Sequence, residues 1–171
     1  MHCITRPCSE IYLAYPTYEW VAIAQGAFMR SVLLVMFIVA VLSSGPANAE
    51  VMITIDKSAQ RMTVAVDKAV RWTWPVSTGR RGYATPSGSY TAFRMEKEHY
   101  SQEWDDAPMP NSIFFTKRGH AIHGSYETKR LGTPVSHGCV RLHPANAAKL
   151  YALVERVGVT NATVLVTRGK D

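Results

Sequence analysis

The residues of this chain predict a mostly β domain with one main helix, on three observations. Short runs of β-branched and aromatic residues recur at close spacing from residue 51 onward, and clusters of turn-forming residues separate them. Only one stretch, about 144–157, carries apolar residues at helical spacing.

Val51-Met52-Ile53-Thr54-Ile55, then Arg61 to Val66, then Val70 to Val76 read as the first three strands. Asp56-Lys57-Ser58-Ala59-Gln60 and Asp67-Lys68-Ala69 lie between them and carry side chains that favour turns, so the three form an antiparallel meander. Ser77 to Gly88 is punctuated by glycine and proline and reads as a loop, after which Ser89 to Met95 reads as a single strand. Residues 96–112 are polar and without sustained period, which predicts a long loop of the kind that acts as a lid or binding segment. Ile113-Phe114-Phe115-Thr116 and Ala121-Ile122-His123 read as strands around the turn Lys117-Arg118-Gly119. Pro144 suits a first helical turn, Ala147, Leu150, Tyr151, Val154 and Val157 fall near helical spacing, and Gly158 is placed to end the helix. Val159 to Thr167 returns to a strand centred on Val164-Leu165-Val166.

The N-terminal part reads differently. Met29-Arg30 precedes the apolar stretch Ser31 to Leu42, and Ala47-Asn48-Ala49 is a small-x-small cleavage site. Residues 29–49 therefore read as a secretory signal peptide, with an uncleaved anchor as the alternative, and residues 1–28 as an upstream extension. A membrane span needs about 20 apolar residues, more than this stretch offers. Residues 50–171 remain as one exported domain, expected in the periplasm or cell envelope. The formal net charge is +6, and losing residues 1–49 leaves it unchanged because Arg6 and Arg30 leave with Glu10 and Glu19. A basic exported domain suits an anionic polymer such as the cell wall, although solubility explains the charge equally well. No basic stripe interleaved with aromatic residues suggests nucleic acid.

Removal of the signal leaves Cys139 as the only cysteine, in the run Ser136-His137-Gly138-Cys139-Val140-Arg141-Leu142, with Ile122-His123-Gly124 upstream. An unpaired thiol in a disulfide-forming compartment is a liability unless the sulfur has a use. With histidines nearby, the pattern favours a nucleophile and its base over an inert, buried cysteine. A free thiol, with a pKa of about 8.5, is little ionised near neutrality, so a base must raise the thiolate fraction.

His123-Gly124 followed by Ser136-His137-Gly138-Cys139 resembles the signature of the L,D-transpeptidase catalytic domain family. Ser77-Thr78-Gly79 and Thr85-Pro86-Ser87-Gly88-Ser89-Tyr90 are similar to its strand-to-loop pattern, and the likeness covers roughly residues 51–167. The resemblance implies a β-sandwich or barrel with the nucleophile at a strand end, acting on peptidoglycan stem peptides without a metal or other cofactor. Cys139 would attack the carbonyl of the third stem residue, release the terminal D-alanine, and pass the acyl group to an amine of another stem or to a lipoprotein lysine. His123 would be the base, oriented by the Gly124 carbonyl. The backbone N–H groups of Cys139 and Gly138 would hold the oxyanion. The resemblance also implies that carbapenems acylate Cys139.

Ser136 and His137 are expected to support the site. Arg141 shares a face with Cys139 if the segment is extended, and either brackets a substrate carboxylate or braces the site. His99, Tyr100, Trp104 and Asn111 are candidate substrate contacts, and His120 departs from the aromatic residue the family pattern suggests at its position. Three rivals compete. Water as acceptor would make an L,D-carboxypeptidase. A zinc-dependent hydrolase would draw on His120, His123, His137, Cys139 and His143, although His120 and His123 fall on opposite sides of a strand. A non-catalytic wall-binding module would need only charge and aromatic residues, and would leave the lone thiol unexplained.

Overall fold

The computed structural model describes residues 49–168. The expected extension (1–28) and, apart from Ala49, the expected signal peptide (29–49) lie outside the described residues. Among the described residues no helix is long and apolar enough to cross a membrane.

The strands are β1 (Val51–Asp56), β2 (Arg61–Val66), β3 (Ala69–Pro75), β4 (Gly88–Thr91), β5 (Arg94–Glu96), β6 (Ser112–Phe114), β7 (Ala121–Gly124), β8 (Val140–Leu142) and β9 (Ala162–Thr167), with one helix, α1 (Pro144–Val157). They form a five-stranded sheet in the order β3-β2-β1-β9-β4 and a four-stranded sheet in the order β5-β6-β7-β8. Period-two alternation gives the larger sheet one apolar face: Val51, Ile53 and Ile55 on β1, Met62 and Val64 on β2, and Ala162, Val164 and Val166 on β9 are all buried. The pairing aligns these residues in rows, with Ile53 opposite Val64 on one side and Val164 on the other.

The three N-terminal strands pair antiparallel, as their spacing predicts. Asp67 and Lys68 both have positive φ, the conformation that lets a two-residue hairpin follow the strand twist. The parallel pairing of β1 with β9 joins the first strand of the domain to the last.

The stretch Ser89 to Met95, expected as a single strand, belongs to both sheets. Its first half, β4, pairs with β9, and its second half, β5, pairs with β6. The Ala92 N–H donates to Ala162 and the next N–H, of Phe93, donates to Phe114, so the chain changes sheets within one residue. Local sequence shows extended backbone and not the partner it will find.

Helix α1 spans the residues its periodicity predicts. His143 caps it, accepting the Ala145 N–H at 3.3 Å, and Gly158, at φ 90°, ends it. Ala147, Leu150, Leu153 and Val154 face a core shared with β1, β2, β9, β7 and β8. Residues 159–161 form a short 3-10 turn, so the last strand begins later than expected, at Ala162. Leu150 is fully buried in that core. Leu150→Ala should therefore lower unfolding free energy by about 3 kcal/mol in urea titration; a loss below about 1 kcal/mol would show that α1 contributes little to the shared core.

Candidate active site

The site sits on the face of the four-stranded sheet turned away from this core. β7 is buried along its whole length, and β8 pairs with it in parallel, Ile122 beside Val140 and His123 beside Arg141. Ile122, Val140 and Leu142 enter the core. Alternation then sends His123 and Arg141 to the opposite face. Cys139, just before β8, belongs to a second, smaller cluster with Met109, Phe114 and Ala121.

His123 is buried, and its Nδ1–H donates to the Gly124 carbonyl at 2.8 Å. A carbonyl can only accept, so this bond places the proton on Nδ1 and leaves the Nε2 lone pair free. The Gly124 N–H meanwhile donates to Pro110, and a Cβ on Gly124 would press on Pro110 and Pro144 at 3.2 Å. Burial, opposed by the Gly124 bond and reinforced by the Arg141 guanidinium, pushes the imidazole down to about 4. At neutral pH His123 is an uncharged proton acceptor.

Cys139 is half-buried, and among the described cysteines it is free. Its thiol reaches the Gly119 carbonyl at 3.8 Å. Burial pushes the thiol above the ordinary cysteine range, while the Ala121 N–H and Arg141 favour the thiolate. The sequence suggested a sulfur already ionised by its base. The geometry instead gives a neutral thiol and a neutral imidazole lining one cavity, because low polarity penalises charge on both groups.

The loop before the sulfur is tightly bonded. Ser136 Oγ accepts the Gly138 N–H at 3.1 Å and donates to the Cys139 carbonyl at 2.5 Å. Gly138, expected as an oxyanion donor, thus already gives its N–H to Ser136, whereas among the described residues the Cys139 N–H has no acceptor. Gly138 has φ 118°, and the His120 ring edge would lie 3.0 Å from a Cβ there, so glycine is required on both counts. His120 therefore packs beside the loop that precedes Cys139, its Nδ1 paired with Thr116 Oγ1 at 2.7 Å.

His123, Cys139, Ser136, His137, Arg141 and Trp104 line one cavity of roughly 260 Å³. A second, of roughly 310 Å³, reaches Cys139 from the side of His120, Arg118 and Glu103. Trp104 lies between the two, stacked on His137 with centroids 3.7 Å apart and planes 9° from parallel, and Tyr83 meets both rings edge-on. The long loop is thereby held against His137, with Trp104 lining both cavities that reach Cys139. Arg141 pairs with Glu127 at 2.6 Å, bracing the cavity wall. Of the other expected contacts, His99 lines the second cavity and bonds to Glu96 at 2.5 Å. Tyr100 and Asn111 line a separate depression beside Tyr126. Tyr83 and Glu127 carried no sequence signal of their own, since each depends on a contact distant in the chain. Among the described residues no three His, Cys, Asp or Glu side chains are arranged to hold a metal ion. His143, one of the residues weighed as a zinc ligand, serves as the helix cap.

Two outcomes follow from these environments. Iodoacetamide alkylation of Cys139 should rise with pH through a midpoint above that of free cysteine, and a midpoint at or below it would contradict a thiol held neutral by its surroundings. His123 binds its proton near pH 4 when folded but near 6.5 when unfolded. Its contribution to stability is therefore complete above about pH 6.5 and withdrawn as pH falls toward 4, by up to about 3 kcal/mol. Urea midpoints should decline over that window for the wild type and less steeply for His123→Asn.

Comparison with known proteins bears on the family and the fold. Residues 50–166 match the model of the L,D-transpeptidase catalytic domain (YkuD). An L,D-transpeptidase from Mycobacterium smegmatis is similar in structure, with a TM-score of 0.63 at 27% identity over 70% of this chain and 59% of that one. One from Stackebrandtia nassauensis has a TM-score of 0.60 at 28% identity over 73% and 61%. One from Mycobacterium tuberculosis has a TM-score of 0.63 at 25% identity over 70% and 58%. The chain spans about three fifths of the length of these solved chains. With the family model matched along most of its length, the chain belongs to the L,D-transpeptidase catalytic domain family.

Proposed function

We propose that this protein is an exported peptidoglycan L,D-transpeptidase in which Cys139 is the nucleophile and His123 the general base. One observation carries the proposal: a free thiol just before β8 and, on the neighbouring parallel strand β7, a neutral imidazole with its lone pair available line one cavity. The Cys139 sulfur attacks the carbonyl joining the third stem residue to D-alanine while His123 Nε2 takes the thiol proton. The Cys139 N–H supports the oxyanion. Collapse of the tetrahedral centre breaks the carbon–nitrogen bond, and His123 returns the proton to the departing D-alanine amine. The resulting thioester is then attacked by an acceptor amine on another stem or on a lipoprotein lysine, whose proton passes through His123 to regenerate the thiol. Transfer of the proton at the moment of attack suits a pair that rests uncharged.

Intact-mass analysis of the enzyme mixed with a stem tetrapeptide should show an acyl group on Cys139 and release of D-alanine. Cys139→Ser should form no adduct, and His123→Ala should acylate at least about a hundredfold more slowly. Added acceptor amine should give a joined product. If only tripeptide and D-alanine appear in its presence, water is the acceptor and the enzyme is an L,D-carboxypeptidase. A His123→Ala rate within a few-fold of wild type would remove His123 from the base role.

A further inference from the structure

We infer that Thr85 is a positioning residue that fixes the direction of the Cys139 N–H by clamping the peptide group between Gly138 and Cys139. The inference rests on the reading of Cys139 as an acyl-accepting nucleophile. Thr85 is fully buried and far from the sulfur in sequence. Its Oγ1 accepts the Gly79 N–H at 2.9 Å and donates to the Gly138 carbonyl at 2.8 Å. Since the Gly79 N–H occupies the hydroxyl as acceptor, the hydroxyl proton is directed at Gly138.

A peptide group is planar and trans, so holding its oxygen on one side sets its N–H on the other. The oxygen of the 138–139 peptide belongs to Gly138 and the N–H to Cys139. This N–H has no acceptor among the described residues, whereas the Gly138 N–H and the Cys139 carbonyl are both bonded to Ser136 Oγ. Gly138 creates the need for the clamp. Its positive φ makes room for the loop, but glycine also tolerates the rotated alternatives in which the 138–139 peptide would flip and turn the donor away.

Thr85 is itself anchored. Its carbonyl accepts the Lys57 ammonium at 2.8 Å from the β1–β2 turn, and Gly79, which meets the Tyr83 carbonyl so closely that a Cβ would lie 1.8 Å from it, holds the other end of the loop. The larger sheet thereby reaches across the domain to brace a peptide bond beside the nucleophile. The hydroxyl touches no reacting atom and acts through an N–H that is useful only when negative charge develops on a carbonyl oxygen.

Two reagents separate this role from general support of the loop. Acylation by imipenem passes through a tetrahedral oxyanion, whereas alkylation by iodoacetamide displaces iodide directly at carbon and forms none. Thr85→Val should slow imipenem acylation of Cys139 by about tenfold to a hundredfold, chiefly in the maximal rate, while leaving the alkylation rate and its pH midpoint within about twofold. Thr85→Ser, which keeps the hydroxyl, should acylate within a few-fold of wild type. A parallel fall in both reactions for Thr85→Val, or failure of Thr85→Ser to restore acylation, would overturn the inference in favour of a packing role. Wild-type acylation matched by an equally fast Thr85→Val would overturn this inference alone, whereas a wild type that takes no acyl group at Cys139 would overturn the nucleophile assignment and this one with it.

Discussion

The parallel pairing of β7 with β8 is the constraint on which the rest of the site depends. Two short strands from separate parts of the chain lie side by side with Ile122 beside Val140 and His123 beside Arg141. Their alternate residues divide cleanly between the shared core and the cavity. Because side chains alternate every residue, slipping either strand by one position would put His123 into the hydrocarbon core and Val140 into the cavity. The packing of Ile122, Val140 and Leu142 therefore holds the register that presents His123 and Arg141 to the cavity as well as the fold. Helix α1 and the larger sheet supply the other walls of that core.

The parts of this protein legible in its sequence are those that neighbouring residues decide. Helix α1 carries its start, its face and its stop within its own residues, and the meander is written in alternation and turns. Cys139 and His123 stood out because glycine and histidine cluster around them. What stayed hidden depends on contacts across the chain. Ser89 to Met95 reads as one strand in sequence, and only its partners, β9 and β6, divide it between two sheets. Arg141 offered two roles until the fold brought Glu127 to it. Trp104 was visible as an aromatic residue in a long loop, while its stacking on His137 required the loop to fold back. Gly138 was read for its backbone freedom, yet the fate of its N–H depended on Ser136.

The electrostatics of the pair also lay beyond local sequence. A cysteine beside a histidine suggests an ion pair in which each charge supports the other. Here burial acts on both groups in the direction of neutrality, raising the thiol and lowering the imidazole. The nearest guanidinium, Arg141, favours a thiolate but opposes an imidazolium, so it cannot stabilise the charge-separated pair as a whole. Its partnership with Glu127 moderates both effects. The proton is therefore better moved during bond formation than before it.

The half-buried thiol has a consequence for its own oxidation. Peroxides react with thiolates far faster than with thiols, and exposed thiolates are the sulfurs first converted to sulfenic acid. A thiol whose surroundings disfavour ionisation is held in its less oxidisable form. Among the described residues Cys139 has no disulfide partner, and its resting protonation gives it a protection that a disulfide would otherwise supply.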